Sequence, residues 1–409
     1  MNSQTLMIIA HSFFLVNTFL SIYFPLYLDT RSIMKGAEFH SDNHMAGSSF
    51  GNIFRITTWG ESHGKGIGVV VDGCPAGLPL SEADIQPYLN RRKPGQSVFA
   101  TPRNEDDAVE ILSGIFEGKT TGAPISMAIF NKTQRSADYS EIASYYRPGH
   151  ADFTFDEKYG FRDYRGGGRS SGRETAGRVA GGAIAALILK EMGIHLTTYV
   201  KSVGPITIDY NNFDKDEIFN NSLYMPDKAA AEKAGKYVIE MTKQHNSVGG
   251  VVECVIDGMP TGIGDPVFEK LNANLAKAIC SIGAVKGFEI GDGFQVASAL
   301  GSDNNDAFTM ENNKVTKCTN HAGGILGGMS DGSPIILRAA FKPTPSILAE
   351  QHTVNKSGED ITISIKGRHD PIIVARASVV VECMVATTIL DALMMNMNAK
   401  IDYLKDFYK

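Results

Sequence analysis

Several strings in this chain occur twice, in the same order, and that repetition limits the possible folds more than any other feature. Val71-Asp-Gly-Cys-Pro-Ala-Gly77 matches Ile256-Asp-Gly-Met-Pro-Thr-Gly262, each following a β-branched run and preceding a helical pattern. Later, Ile111-Leu-Ser-Gly114, Gly122-Ala-Pro-Ile125 and Phe130-Asn-Lys-Thr133 match Ile325-Leu-Gly-Gly328, Gly332-Ser-Pro-Ile335 and Phe341-Lys-Pro-Thr344. One match could be chance, but several in order at similar spacing argue for two similar halves about a pseudo-twofold axis. Ligand sites often lie between such halves. No low-complexity linker separates them, so one continuous globular unit is expected.

The hydrophobic pattern gives strands at residues 52–59, 67–71, 109–112, 125–130, 250–256, 335–341 and 361–365, and an extended run at 195–208. It gives helices at 81–89, 227–245, 267–282 and 377–394, and a short one at 140–145. One further helix follows the glycine run of Arg165-Gly-Gly-Gly-Arg-Ser-Ser-Gly-Arg-Glu-Thr-Ala-Gly-Arg178. Ser171 is a natural N-cap, Glu174 is spaced for a capping box, and Gly193 can end the helix. A helix start carries unpaired N–H groups and partial positive charge, which attract anions. Arg169, Arg173 and Arg178 add guanidiniums, whose planar forks match phosphate or carboxylate. A capped helix with solvated arginines is the plainer alternative; the glycine run, which lets a ligand approach the backbone, favours the anion cradle.

The net charge of −6 gives no general attraction to nucleic acid, so an anionic ligand must be held by clustered Arg and Lys. Five cysteines, odd in number and without a C-x-x-C pair, read as free thiols of a reducing compartment. Residues 6–28 are apolar and lack Lys, Arg, Asp and Glu, long enough to span a bilayer. They lack a basic n-region and a small-residue cleavage site, so a signal peptide fits poorly. Two readings remain: a membrane anchor, with Arg31 and Lys35 keeping the remainder cytoplasmic, or an extension outside the working protein. The second is preferred, because Met34 and Met45 offer later starts and globular patterning begins near Ser49. The domains expected are an extension over 1–45 and a functional unit over 46–409.

Five short motifs carry candidate chemistry. Gly60-Glu-Ser-His-Gly64 sets Ser62 and His63 in a tight loop; His63 suits a general acid, or a structural hydrogen bond. It lacks P-loop spacing and is not a nucleophile elbow. Arg147-Pro-Gly-His150 aims Arg147 and His150 out of a turn, with Asp152 just beyond. Arg91-Arg-Lys-Pro-Gly95 reads as an anion contact or as a solvated helix end. Lys342-Pro-Thr-Pro-Ser346 is stiff and polar, and Arg368-His-Asp-Pro371 gathers polar groups at a turn. His321 and His352 read as structural, and no histidine spacing suggests a metal site. Turn-borne Arg, His, Ser and Lys in an acidic protein imply a shared anionic partner.

Together these motifs, with Asp72-Gly-Cys-Pro-Ala-Gly77 and Asp163-Tyr-Arg-Gly-Gly-Gly-Arg-Ser-Ser171, resemble the chorismate synthase family from about Ser49 to the last helix. The resemblance implies an α+β fold, a β-α-β sandwich of two pseudo-twofold-related halves with helices packed between antiparallel sheets. It also implies a homotetramer in the cytoplasm. The implied reaction is a trans-1,4-elimination of phosphate from 5-enolpyruvylshikimate 3-phosphate, giving chorismate. It requires reduced FMN without net redox change, with NADPH only indirectly the source of reducing equivalents. His63 and His150 match the family's two acids, one protonating the reduced flavin and one assisting the leaving phosphate. Asp370 matches the aspartate that helps take the C6 proton with flavin N5, and Ser62 and Ser171 match active-site serines. Arg92, Arg147, Arg173 and Arg368 match substrate-holding arginines. FMN binding is implied for Arg169, Ser170, Ser171, Gly283, Ala284, Gly327, Lys342, Pro343, Thr344, Pro345, Ser346 and Arg368. Val98 departs from the family, where many relatives carry Arg, and so does the apolar N-terminal segment. A non-catalytic flavin or phosphate-ligand binder is the competing class; it would not need His63, His150 and Asp370 together. Neither a nucleic-acid nor a membrane partner is expected.

Overall fold

Two five-stranded sheets of matching order carry the fold. Strands β1 (Ser49–Phe50), β2 (Arg55–Gly60) and β3 (Gly66–Asp72) lead to helix α1 (Glu82–Arg92). Then come β4 (Val109–Ile111), the small hairpin β5 (Ile115–Phe116) and β6 (Lys119–Thr120), β7 (Ile125–Phe130), α2 (Asp152–Tyr159) and α3 (Thr175–Glu191). The second half runs β8 (His195–Val203), β9 (Ile206–Thr207), α4 (Lys228–Lys243), β10 (Gly250–Asp257), α5 (Leu271–Cys280) and β11 (Val285–Ile290). It continues through hairpins β12 (Phe308–Glu311) with β13 (Lys314–Lys317), and β14 (Ile325–Leu326) with β15 (Met329–Ser330). Strand β16 (Ile335–Phe341), hairpin β17 (Gln351–Val354) with β18 (Asp360–Ile363), and helix α6 (Val374–Met395) follow, with a short helix α7 (Ile401–Phe407) after them. This computed structural model describes residues 47–95, 99, 106–131, 141–365 and 370–409; residues 6–28, Val98 and Arg368 lie outside them. Gly47–Lys409 is one compact unit.

The sheet orders are β4-β7-β3-β2-β1 and β11-β16-β10-β8-β9, with every pairing antiparallel. The repeat thus places β7 against β16 and β3 against β10 in equivalent positions. Side-chain hydrogen bonds repeat too. The Thr120 hydroxyl donates to the Pro75 carbonyl at 2.7 Å and accepts from Leu78 N–H at 2.9 Å. Ser330 does the same with Pro260 at 2.6 Å and Ile263 N–H at 2.9 Å. This pairing corrects the sequence alignment of the halves. The hairpin at Ile115 and Phe116 corresponds to that at Ile325 and Leu326, so Ile111-Leu-Ser-Gly114 lies four residues out of register with Ile325-Leu-Gly-Gly328.

Helix α3 packs on β2, β3 and β7, helix α6 packs on β8 and β10, and the two helices pack on each other. The approach is close: a Cβ on Gly182 would lie 2.4 Å from the Cys383 carbonyl oxygen, and one on Gly177 would lie 2.9 Å from that of Gly68. Val374–Asn398 is long and apolar enough to cross a membrane, but 78% of its apolar window is buried inside the protein, as for a core helix. Its buried polar residues Ser378, Glu382, Thr387, Thr388 and Asp391 all have partners. Thr387 and Thr388 donate to carbonyls one turn back, and Glu382 accepts from Arg91 at 2.7 Å.

Asp391 fixes where β2 begins. Its carboxylate accepts from the N–H groups of Asn52 (2.9 Å), Ile53 (2.7 Å) and Phe54 (3.1 Å) and from the Asn52 side chain (3.0 Å). Residues 52–54 therefore cannot enter a ladder, and the strand expected from 52 starts at Arg55. Similarly, the helix expected from 267 starts at Leu271, because Val267 has φ of 65°. Asp391→Ala would strand three backbone donors, and unfolding titrations should show a loss of about 3 kcal/mol; a loss under about 1 kcal/mol would refute the clamp.

Candidate active site

Helix α3 is reached through two turns of tighter 3-10 helix, Gly168–Ser170 and Gly172–Glu174, rather than through the expected capping box. The Ser171 hydroxyl accepts from Arg173 N–H at 3.2 Å. The Glu174 carboxylate does not turn back to Ser171. It accepts from the Thr58 hydroxyl at 2.8 Å and from Arg178 Nε at 2.8 Å, tying the helix start to β2. The glycine run lies over the loop between β2 and β3. A Cβ on Gly166, whose φ is 78°, would sit 2.6 Å from His63 Nδ1 and 2.8 Å from Ser62 Oγ. His63 Nδ1 is itself 3.2 Å from Ser62 Oγ.

His150 reaches the same place from the opposite side. Its Nε2 is 2.7 Å from Ser346 Oγ, and the Lys342 ammonium donates to the Gly149 carbonyl at 2.7 Å. The Arg147–His150 turn is thereby locked onto the segment 342–346. Both histidines line one cavity of about 720 Å³, within the usual range for a small-molecule site. Ser62, Arg92, Arg147, Arg169, Ser170, Ser171, Arg173 and Asp370 line it too, as do Gly283 and Ala284 and residues Lys342, Thr344, Pro345 and Ser346. Pro343 and Gly327 are not in its wall; Gly327 belongs to the turn between β14 and β15.

Charge here is opposite in sign to that of the whole chain. Eight Arg or Lys side chains in the wall face five Asp or Glu, an excess of three cations among the described residues. The arginines are held in pairs by shared carboxylates. Asp152 accepts two bonds of 2.7 Å from Arg147 and pairs with Arg162 at 2.8 Å. Asp107 does the same between Arg92 and Arg173, and Glu174 lies between Arg178 and Arg169. Burial alone would raise the Asp107 and Asp152 carboxyls, but their arginines hold both below the ordinary value. Asp370 pairs with Arg376, whose Nε donates to the Arg92 carbonyl at 2.8 Å.

Two expected contacts are more committed than the sequence suggests. Arg92 is 2% exposed, and its guanidinium also donates to the Gly172 carbonyl at 3.1 Å and the Thr175 hydroxyl at 3.3 Å. Arg169 donates to Thr58 and Gly60 carbonyls, both at 3.1 Å, and to the Thr58 hydroxyl at 2.7 Å, stitching the glycine run to the end of β2. By contrast the Thr344 hydroxyl is buried with no hydrogen-bond partner among the described residues, as befits a group awaiting a ligand.

Comparison with known proteins is decisive for the family. The chorismate synthase family model matches residues 54–394. A chorismate synthase of Agathobacter rectalis is 73% identical over 365 residues, covering 89% of this chain and all of that protein. One from Methanosarcina mazei is 55% identical over 85% of this chain and 96% of its own length. The chain belongs to the chorismate synthase family. A crystal structure of chorismate synthase, 32% identical, aligns with a TM-score of 0.66 over 88% of this chain and 97% of its own.

Several residues of this family member escaped sequence reasoning. Asn131, at the end of β7, donates to Glu61 and Gly64 carbonyls at 3.1 and 2.9 Å and accepts from Arg173 at 3.0 Å, joining the His63 loop to the arginines. Asp107, Arg162 and Arg376 were missed as well; an acidic residue near a run of arginines was their only signal. Because glycine alone fits at 166, Gly166→Ala should displace His63 and lower turnover at least about tenfold, equivalent to about 1.4 kcal/mol in the barrier. The melting temperature should stay within a few degrees, and unchanged turnover would contradict this packing.

Proposed function

We propose that this protein is a lyase that eliminates phosphate from 5-enolpyruvylshikimate 3-phosphate to give chorismate, the last common step toward the aromatic amino acids, at the cavity between His63 and His150. The observation that carries the reading is that both histidines, Asp370 and the paired arginines meet in one cation-rich cavity. A binding protein of the same fold would need the arginines but not two histidines and an aspartate.

The wall also suits reduced FMN. The segment 342–346 offers the buried Thr344 hydroxyl, and Ser170, Ser171, Gly283 and Ala284 present small groups to the same space. When bound, reduced FMN supplies electron density to the allylic system while phosphate departs. The chain's own residues bind, orient and move protons. Arg147 and Arg173 face the cavity for the anionic groups of the substrate, with Arg92 behind them and Arg368 expected to join them. The resemblance assigns one histidine proton to the departing phosphate and the other to the cofactor. Ser62 and Ser346, each against one imidazole nitrogen, orient the rings. Asp370, oriented by Arg376, assists removal of the C6 hydrogen. The excess of wall cations stabilises negative charge gathering on the leaving phosphate.

In this reading the catalytic unit is residues 46–409, within which the family match lies, and 1–45 stands outside it. The two sheets with helices α3 and α6 between them form the β-α-β sandwich, the assembly is a homotetramer, and the protein works in the cytoplasm. Reducing equivalents come from outside the chain, with NADPH their indirect source.

The test is anaerobic phosphate release with reduced FMN and 5-enolpyruvylshikimate 3-phosphate; absence of turnover would defeat the assignment. His150→Ala should lower kcat at least about a hundredfold, the usual scale of a lost general acid. FMN affinity should change far less. Full activity in that variant would remove His150 from the acid role.

A further inference from the structure

One buried carboxylate organises the rear of the cavity without reaching it. The Asp107 side chain is fully buried and is not part of the cavity wall. Its Oδ2 accepts from Arg92 Nε at 3.1 Å and Nη2 at 2.6 Å, and its Oδ1 accepts from Arg173 Nη1. Arg92 ends helix α1, whereas Arg173 lies in the turn before α3. Arg92 also donates to the Gly172 carbonyl and the Thr175 hydroxyl, and Arg173 to Asn131. Two guanidiniums from distant segments therefore converge on one carboxylate and link it to Asn131 and to the 172–175 turn. Two guanidiniums so close repel each other, and burial further disfavours their charge; it pushes Arg92 down to about 10 despite the help of Asp107. A carboxylate between them offsets both costs and fixes the direction of each planar fork.

We propose that Asp107 is a positioning residue for the elimination, its carboxylate holding Arg92 and Arg173 in the arrangement that receives the substrate's oxyanions. This rests on the functional reading above. Asp107 touches no ligand, so its whole effect passes through the two arginines. That makes the sign of its removal informative. Deleting a negative charge behind a cation cluster would, on Coulombic grounds alone, tighten anion binding. Loss of positioning does the opposite.

The experiment is steady-state kinetics of the parent protein and Asp107→Asn with 5-enolpyruvylshikimate 3-phosphate and reduced FMN, alongside fluorescence titration of FMN. We expect KM to rise at least about tenfold, kcat to fall by a smaller factor, and FMN affinity to stay within about twofold. A merely structural role would reduce the folded fraction, lowering apparent kcat at unchanged KM. That result, a KM within about twofold of the parent, a KM below it, or a parallel loss of FMN affinity would overturn the proposal. If Asp107→Asn does not fold, Asp107→Glu takes its place, since it keeps the charge but moves it by one methylene; a raised KM upholds positioning and a parental KM overturns it. A parent without turnover sinks the functional reading, and this inference with it. An active parent with an unaltered variant sinks the inference alone.

Discussion

A carboxylate shared between two guanidiniums is the interaction on which this site depends. A cavity for a multiply charged anion needs many cations, and cations packed together in a poorly hydrated wall repel one another before any ligand arrives. The protein resolves the conflict with half-neutralised pairs. Asp107, Asp152 and Glu174 each lie between two arginines. Each group keeps one net positive charge and loses most of its freedom to move. The result is a field built before the ligand enters, so little reorganisation remains for the reaction itself.

That field needs a rigid mounting, and the scaffold supplies it through closeness. Helix α3 lies near enough to the first sheet and to α6 that glycine is required at Gly177 and Gly182. The same closeness brings the start of α3 to the end of β2, where Glu174 and Arg169 reach Thr58. The loop carrying His63 leaves that strand end, so the position of one histidine is set by the packing of a helix. The other, His150, is set by a turn locked to residues 342–346. The site is thus assembled from both halves of the repeat.

Much of this was legible in the chain. The repeated strings predicted two similar halves, and the strand at Ile125–Phe130 was bounded correctly. The motif histidines, serines and arginines stand out because turn glycines and prolines mark their loops locally, and the family resemblance of those strings supplies the roles expected of them. What escaped reading depends on partners far away in sequence. Glu174 has the spacing of a capping box, yet its partner Thr58 is 116 residues distant. Asp107 is an ordinary loop aspartate until the fold brings Arg92 and Arg173 to it. The repeat aligns four residues out at Ile111 because Ile-Leu followed by small residues occurs before the hairpin in one half and within it in the other, and the matching hairpins and the Thr120 and Ser330 hydrogen bonds decide between the alignments.

The contact of Asp391 with the start of the first sheet has a consequence for synthesis. The carboxylate lies 339 residues beyond Asn52, whose N–H is the first of its donors. On a ribosome, β2 and the His63 loop emerge long before the residue that anchors them. The first half can collapse early, but the start of β2 stays unfastened until α6 is released and docks. The order of translation therefore leaves the His63 loop to be completed by a helix made long after it, and a chain interrupted before α6 would hold most of the cavity residues in sequence without the clamp at the start of β2.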